Sequence, residues 1–218
     1  MPNLTVDSPV YAPVYASDYT KASQFLSQLD DDWAQLIQHV GACTITDETQ
    51  PELSPYQALV LAVAHQQLHA KAGDAIFARF KHLFNGFPTP EQLLAASYDD
   101  LRACGFSGSK ISTIQGIALA TMNGQVPSRL EAENMSDEAL IKQLIPLKGI
   151  GQWTVEMMLI FSFNRLDVLS VTDYAVMAGY TRLKKLASAP KPKQLAELGK
   201  AWSPYRSVAC WYLWRIPN

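Results

Sequence analysis

The sequence predicts an all-α protein. Apolar residues recur at helical spacing nearly throughout, strand-like alternation is scarce, and caps or Pro and Gly punctuate the chain at short intervals. With 218 residues, the length suggests one domain or two closely packed subdomains at ~150 residues per domain. The hydrophobic share of 48% is ordinary for a globular chain, and the charged share of 17% is below the typical ~25%.

The elements follow in order. Residues 18–40 hold two helical pieces; Asp18 caps the first, and the Asp30-Asp31-Asp32 run starts the second, where acids meet the positive end of a helix. The stretch 44–55, TITDETQPELSP, is a connector. After Pro55 the pattern gives one long helix over roughly 55–70 and another ending near Phe84. NGFPTP (85–90) is a loop, and short helices follow near 90–96 and 98–104. Ser109 begins a helix reaching about Met122, and NGQVPS (123–128) breaks the chain again. Ser136-Asp137-Glu138 starts a helix that ends near Ile145. Helical stretches at 152–163, 173–185, 193–202 and 204–214 complete the set.

Composition excludes a disordered tail, a collagen-like fibre and a coiled coil. The longest apolar run, 58–64, is far short of the ~20 residues that a spanning helix needs, so no membrane role is expected. Cys43, Cys104 and Cys210 are odd in number and widely spaced, which fits buried free thiols in a reducing cytosol and offers no zinc set. The opening MPNLTVDSPV has neither a basic n-region nor an apolar h-region. A cytoplasmic protein is expected, associated with the nucleoid in a bacterium or nuclear in a eukaryote.

The formal net charge of −2 argues at first against nucleic acid, but it hides a gradient. Residues 1–56 carry Asp7, Asp18, Asp30, Asp31, Asp32, Asp47, Glu48 and Glu52 against Lys21, a net −7. Residues 174–218 carry Arg182, Lys184, Lys185, Lys191, Lys193, Lys200, Arg206 and Arg215 against Glu197, a net +7. Either the basic end faces a polyanion, or the two ends pack together and partly neutralise each other.

The chemistry concentrates in 140–180. A helix ends at Ile145-Pro146, Leu147-Lys148-Gly149-Ile150-Gly151 makes a tight turn, and Thr154 lies early in the next helix. Two glycines around one aliphatic residue let the backbone take φ > 0 and approach a ligand closely, with Ile150 plugging the turn into the core. The N–H groups opening the second helix form an anion site, so this reads as a helix-hairpin-helix phosphate clamp; a Gly-rich corner between helices is the plainer reading. Asp173 sits 20 residues after Trp153, at or near the next N-cap, where backbone N–H groups can hold its carboxylate. Taken alone, such an acid is usually just a cap.

The whole run L-x-G-I-G-x-W-T…DV…D resembles the helix-hairpin-helix DNA glycosylases, most closely their AlkA-like 3-methyladenine branch. Three more stretches carry the resemblance, which spans roughly 18–216. They are Ala64-His65-Gln66-Gln67-Leu68-His69, Gly105-Phe106-Ser107-Gly108-Ser109-Lys110, and Trp202-Ser203-Pro204-Tyr205-Arg206-Ser207 with Trp211 and Trp214.

The resemblance implies a monofunctional glycosylase that flips alkylated purines (3-methyladenine, 7-methylguanine) from duplex DNA and leaves an abasic site in base excision repair. Asp173 would be the catalytic carboxylate that stabilises an oxocarbenium-like state. Lyase relatives carry a Schiff-base Lys where Trp153 stands, so no strand nicking is implied. Trp153 and Trp214 match aromatic pocket positions, with Tyr174 and Met157 as further lining, whereas Trp33, Trp202 and Trp211 read as structural. Gln67 matches the residue inserted where the base has left, and His69, replacing the usual Ser, is a donor to minor-groove acceptors. His65 lies four positions before His69, on the same face of the expected long helix, and the pair lacks a third zinc ligand. Gln66 belongs with Gln67 and His69 to the DNA-facing set, and Lys110, Lys148 and the N–H groups of Gly149 and Gly151 are candidate phosphate contacts. A monovalent cation is expected at the hairpin carbonyls of Leu147 and Gly149. An iron–sulfur cluster is not, because only Cys210 lies in the C-terminal region.

The expected layout has two lobes with a catalytic cleft between them. Residues 56–166 would form the central lobe, with the hairpin motif at about 137–163, and 1–55 would pack with 167–218 as the other. Longer family members carry an N-terminal β-sheet subdomain, which the helical reading of the first 55 residues leaves out. A monomer is expected. The alternatives are a non-catalytic helix-hairpin-helix protein that binds DNA or senses damage, and a glycosylase for deaminated, oxidised or etheno bases. Asp173 and the aromatic positions weigh against the first, and Trp153 weighs against the oxidised-base form of the second.

Overall fold

A computed structural model describes residues 16–45 and 52–217. The described residues contain thirteen α-helices, one short 3-10 helix at Gly199–Trp202 and no strand. None of these helices is long and apolar enough to cross a membrane. Asp7, Asp47 and Glu48 of the acidic stretch lie outside the described residues.

The helices are α1 (Ala16–Ser27), α2 (Asp31–Val40), α3 (Pro55–His65), α4 (Ala70–Leu83), α5 (Pro90–Ala95), α6 (Tyr98–Ala103) and α7 (Gly108–Met122), followed by α8 (Arg129–Glu133), α9 (Asp137–Leu144), α10 (Gln152–Phe161), α11 (Tyr174–Leu183), α12 (Pro192–Leu198) and α13 (Arg206–Leu213). Most of their starts are capped, those at Asp30, Ser136 and Asp173 as the sequence implies. The side chains of Asp30, Ser54, Thr89, Ser97, Ser107, Ser128, Ser136 and Asp173 each accept an N–H from their own first turn.

Three expectations are corrected. α1 begins at Ala16, so Asp18 lies in its first turn rather than at its cap. α8 was not expected, although Ser128 and Glu131 form a complete capping box. The expected helix over 55–70 is two helices, because α3 stops at His65 and α4 starts at Ala70. His69 is the N-cap residue of α4 and not a helical neighbour of His65.

The chain divides into two compact units: 52–158, here called the hairpin unit, and 16–45 with 159–217, the terminal unit. In the hairpin unit α7 packs against α3, α5 and α6, with Ile111, Ile114, Ile117 and Ala118 buried. Phe80 is fully buried and meets Phe84, Phe87 and Phe106 edge-on at 5.3–5.9 Å.

In the terminal unit α11 packs on α13 and α1 on α2. Gly179 allows the first of these, since a Cβ there would stand 2.3 Å from the Leu213 carbonyl oxygen. Trp33 and Trp202 are buried and meet edge-on at 5.5 Å, and Trp211 is also buried, so these three are structural as expected. Lys184 reaches Asp30 at 2.6 Å and Asp32 at 2.9 Å, so the acidic and basic ends do partly neutralise each other. None of the three cysteines forms a disulfide; Cys104 and Cys210 are buried, and burial pushes the half-buried Cys43 thiol up to about 11.

Candidate functional site

In the hairpin unit three sequence motifs converge. The hairpin follows α9: Leu147 and Ile150 are buried and Lys148, Gly149 and Gly151 are exposed, so Ile150 does plug the turn into the core. Only Gly149 of the two glycines has positive φ, at 81°. A Cβ on Gly149 would fall 2.2 Å from Thr113 Oγ1 of α7, whereas one on Gly151 would meet nothing within 4 Å. Gly149 therefore serves packing, and Gly151 leaves the backbone open to a ligand. The N–H groups of Gly151 and Gln152, at the start of α10, are donors that the helix itself does not use.

The turn after α3 is the second part. His65 O accepts the Leu68 N–H at 3.2 Å, Gln66 has φ −49° and ψ 128°, and Gln67 has φ 56°. This is a type II turn with Gln67 at the position that favours glycine, and its side chain is exposed.

Lys110, near the start of α7, is the third. Its Nζ donates to Ala64 O at 3.0 Å and to Gln66 O at 2.9 Å, and burial lowers its pKa. Gln66 Nε2 donates to Thr154 Oγ1 at 2.9 Å and to Gly149 O at 3.2 Å. Gln66 and Lys110, expected to face DNA, are thus engaged inside the unit. Gln67, His69 and Lys148 are exposed. His65 faces acceptors on both ring nitrogens, Leu61 O at 3.0 Å and Asp74 Oδ1 at 2.9 Å, and no metal-binding group forms among the described residues.

The terminal unit carries the carboxylate. Asp173 is 8% exposed, and its Oδ1 accepts Val176 N–H at 2.9 Å and the Trp214 indole N–H at 3.3 Å. These donors and the start of α11 suit an anion. The half-buried Trp214 ring stacks on Phe161 at 5.5 Å and 25°. Phe161 is 45% exposed and was missed by sequence reasoning. The available signal is the spacing of four along α10 that joins Trp153, Met157 and Phe161. Trp153 and Met157 are half-buried, and Tyr174, beside the carboxylate, is 81% exposed.

The segment leading to Asp173 is held by the Trp202–Ser207 motif. Ser207 Oγ donates to Arg165 O at 2.6 Å and accepts Val168 N–H at 2.9 Å, while its own N–H reaches Leu166 O at 3.0 Å. Arg206 forks onto Asp167 at 2.7 and 2.9 Å, and Ser203 Oγ donates to the same carboxylate at 2.8 Å. These positioning residues match a motif the sequence displayed, but their purpose shows only in the fold.

Comparison with known proteins agrees with this geometry. The profile of the HhH-GPD superfamily, base excision DNA repair proteins, matches residues 60–204. The chain is 44% identical to DNA-3-methyladenine glycosylase 1 of Schizosaccharomyces pombe over 198 residues, 90% of this chain and 86% of that one. Its fold matches the 3-methyladenine DNA glycosylase of that yeast in complex with abasic DNA, with a TM-score of 0.84 and 43% identity, covering 89% of this chain and 95% of the other. A DNA-3-methyladenine glycosidase from Bacillus halodurans matches with a TM-score of 0.73 and 37% identity over 92% and 90% of the two chains. A clamp-like hairpin, a capped carboxylate and a family match over more than half the sequence lead to one conclusion: the chain belongs to the HhH-GPD superfamily of base excision DNA repair proteins.

Proposed function

We propose that this protein is a monofunctional DNA glycosylase that excises alkylated purines of the 3-methyladenine and 7-methylguanine type from duplex DNA, acting as a monomer. The observation that carries the reading is Asp173, 8% exposed, capping α11 and bound by the Trp214 indole N–H. The relatives' names, and the abasic DNA bound by the yeast structure, support the same chemistry.

An N3- or N7-alkylated purine is already cationic. When its glycosidic bond breaks, it takes the bonding pair and leaves neutral, so no strong general acid is required. The sugar is left with oxocarbenium character, which a nearby carboxylate stabilises. Water then adds to C1′, and its proton passes to Asp173 or to solvent, leaving an abasic site. An extruded cationic base stacks favourably on indole and phenyl faces, the role proposed for Trp214 with Phe161, and for Trp153, Met157 and Tyr174. Trp153 at the hairpin position supplies no amine for a Schiff base, which supports hydrolysis without strand cleavage.

The backbone N–H groups of Gly149 and Gly151 would hold the DNA phosphates with Lys148, and Gln67 and His69 would face the minor groove. The Leu147 and Gly149 carbonyls already accept from Ile150 N–H and the Gln66 amide. Each carbonyl keeps one lone pair, which fits a weakly held monovalent cation that would add positive charge beside a phosphate.

The test is release of free bases from methylated DNA, identified by mass. Wild type is expected to release 3-methyladenine. Asp173→Asn keeps a good N-cap, so it should fold and bind abasic DNA while excising at least roughly a hundredfold more slowly. Retained excision in that variant, or none in wild type, would sink the proposal.

A further inference from the structure

We infer that Lys110 and Gln66 are positioning residues that hold Gln67 in its strained turn and lock that turn to the hairpin. The inference rests on the reading that Gln67 faces DNA. A non-glycine residue at φ 56° is strained and persists only where its surroundings impose it. Local sequence does not impose it, since 55–70 holds no glycine and its single proline, Pro55, opens α3. The restraints come from elsewhere in the unit. The Lys110 ammonium grips Ala64 O and Gln66 O, on either side of the α3 terminus. The Gln66 side chain then crosses to Gly149 O and Thr154 Oγ1, the last carbonyl before Ile150 and the buried first turn of α10. His65, held by Leu61 O and Asp74, braces α3 against α4.

Phosphate-gripping and gap-filling elements thereby become one rigid piece. When the hairpin seats on the backbone, the Gln67 backbone arrives already placed, so only its side-chain torsions remain to be ordered in the bound state. The charge on Lys110 faces the protein's own carbonyls, so its effect on repair runs through Gln67 and not through direct phosphate attraction.

A double-mutant cycle tests this with a duplex bearing a single 7-methylguanine. Lys110→Met should lower the single-turnover rate roughly tenfold or more, about 1.4 kcal/mol. The same change in a Gln67→Gly background should cost less than about twofold, because glycine adopts the turn unaided. Hydrogen exchange in the segment 61–72 should accelerate in Lys110→Met, a readout independent of excision. The slope of binding against salt should stay unchanged. Equal losses in both backgrounds, or a slope reduced by about one ion, would overturn the inference and make Lys110 a general structural residue or a phosphate contact. If Lys110→Met fails to fold, Gln66→Glu, which loses both donated bonds, must show the same pattern. Absence of base release by wild type would strike the glycosylase reading alone, and the exchange result would still decide the positioning role.

Discussion

Substituting Gly149 by alanine should dismantle the hairpin for reasons that can be separated experimentally. The new methyl would sit 2.2 Å from Thr113 Oγ1, 2.9 Å from its Cγ2 and 3.1 Å from its Cβ. Rotating Thr113 cannot clear it, because every branch of that side chain is close. Thr113 is also buried and tied by Oγ1 to Ser109 O at 3.0 Å. Overpacking of this kind costs about 1–3 kcal/mol. Alanine at the Gly149 φ of 81° costs about another 1–2 kcal/mol. The unfolded chain loses some entropy in exchange, which offsets about 0.4–1 kcal/mol. The net expectation is a loss of about 1–4.5 kcal/mol, a fall in the unfolding midpoint of roughly 2–18 °C at this length. The assay is thermal and urea unfolding of Gly149→Ala, Thr113→Ala, the double variant and Gly151→Ala. The double variant should recover most of the overpacking and keep the φ penalty. Gly151→Ala, with open space around it, should stay within about 0.5 kcal/mol of wild type. That same variant should nonetheless bind abasic DNA more weakly, since its methyl would occupy the open space where the proposed phosphate contact lies. A Gly149→Ala protein as stable as wild type, or a double variant no better than the sum of its parts, would refute the close-packing account.

Trp214→Phe keeps an aromatic ring against Phe161 and removes the indole N–H from Asp173. At 3.3 Å this bond is long, so excision should fall by about tenfold, and an undiminished rate would remove the indole N–H from the mechanism. A second expectation concerns pH. Burial raises the Asp30 carboxyl, but its bonds from Lys184 and the Trp33 N–H outweigh this and hold it below 3.8. Burial likewise lowers Lys184, and the Asp30 and Asp32 carboxylates outweigh it and hold the ammonium above 10.5. The carboxylate's contribution is present above its ordinary value and disappears as pH falls through the lowered one; the ammonium's is present below 10.5 and disappears as pH rises through the raised one. The stability gap between wild type and Asp30→Asn, which keeps the N-cap, should therefore shrink from about pH 5 to about pH 3; a constant gap would contradict the pairing.

Features written in local chemistry were legible before any fold was known. Helix starts at Ser136 and Asp173 and the buried plug Ile150 follow from caps and spacing, whereas α7 is capped by Ser107 and so starts just before the expected Ser109. What was not legible depends on distant partners. The break at Gln66 has no glycine or proline to announce it; it is stabilised by Lys110, 44 residues away. Phe161 reads as another apolar helix position until Trp214, 53 residues on, stacks against it. Gln66 and Lys110 belong to matched motifs, yet motif membership did not say whether their donors face DNA or the protein itself.

That last distinction changes what the charge gradient means. A surface that grips a polyanion is ordinarily sought as a cluster of exposed Lys and Arg. Here Lys184 is bound to Asp30 and Asp32, Arg206 to Asp167, and Lys110 to its own unit's carbonyls. At the hairpin and the turn after α3 themselves, the exposed groups are mostly uncharged: helix-start N–H groups, Gln67 and the open face at Gly151, with Lys148 beside them. A clamp of that kind neutralises few phosphates, so it should bind undamaged duplex weakly, with residual salt dependence set by Lys148 and a few others. Under the proposed function, discrimination then falls to what a damaged site alone offers, namely a base that leaves its stack and a gap that Gln67 would fill. A net charge of −2 is consistent with this. Under the same proposal, turning Lys110 inward to hold the turn that presents Gln67 separates positional rigidity from affinity, which a phosphate-facing lysine there would couple.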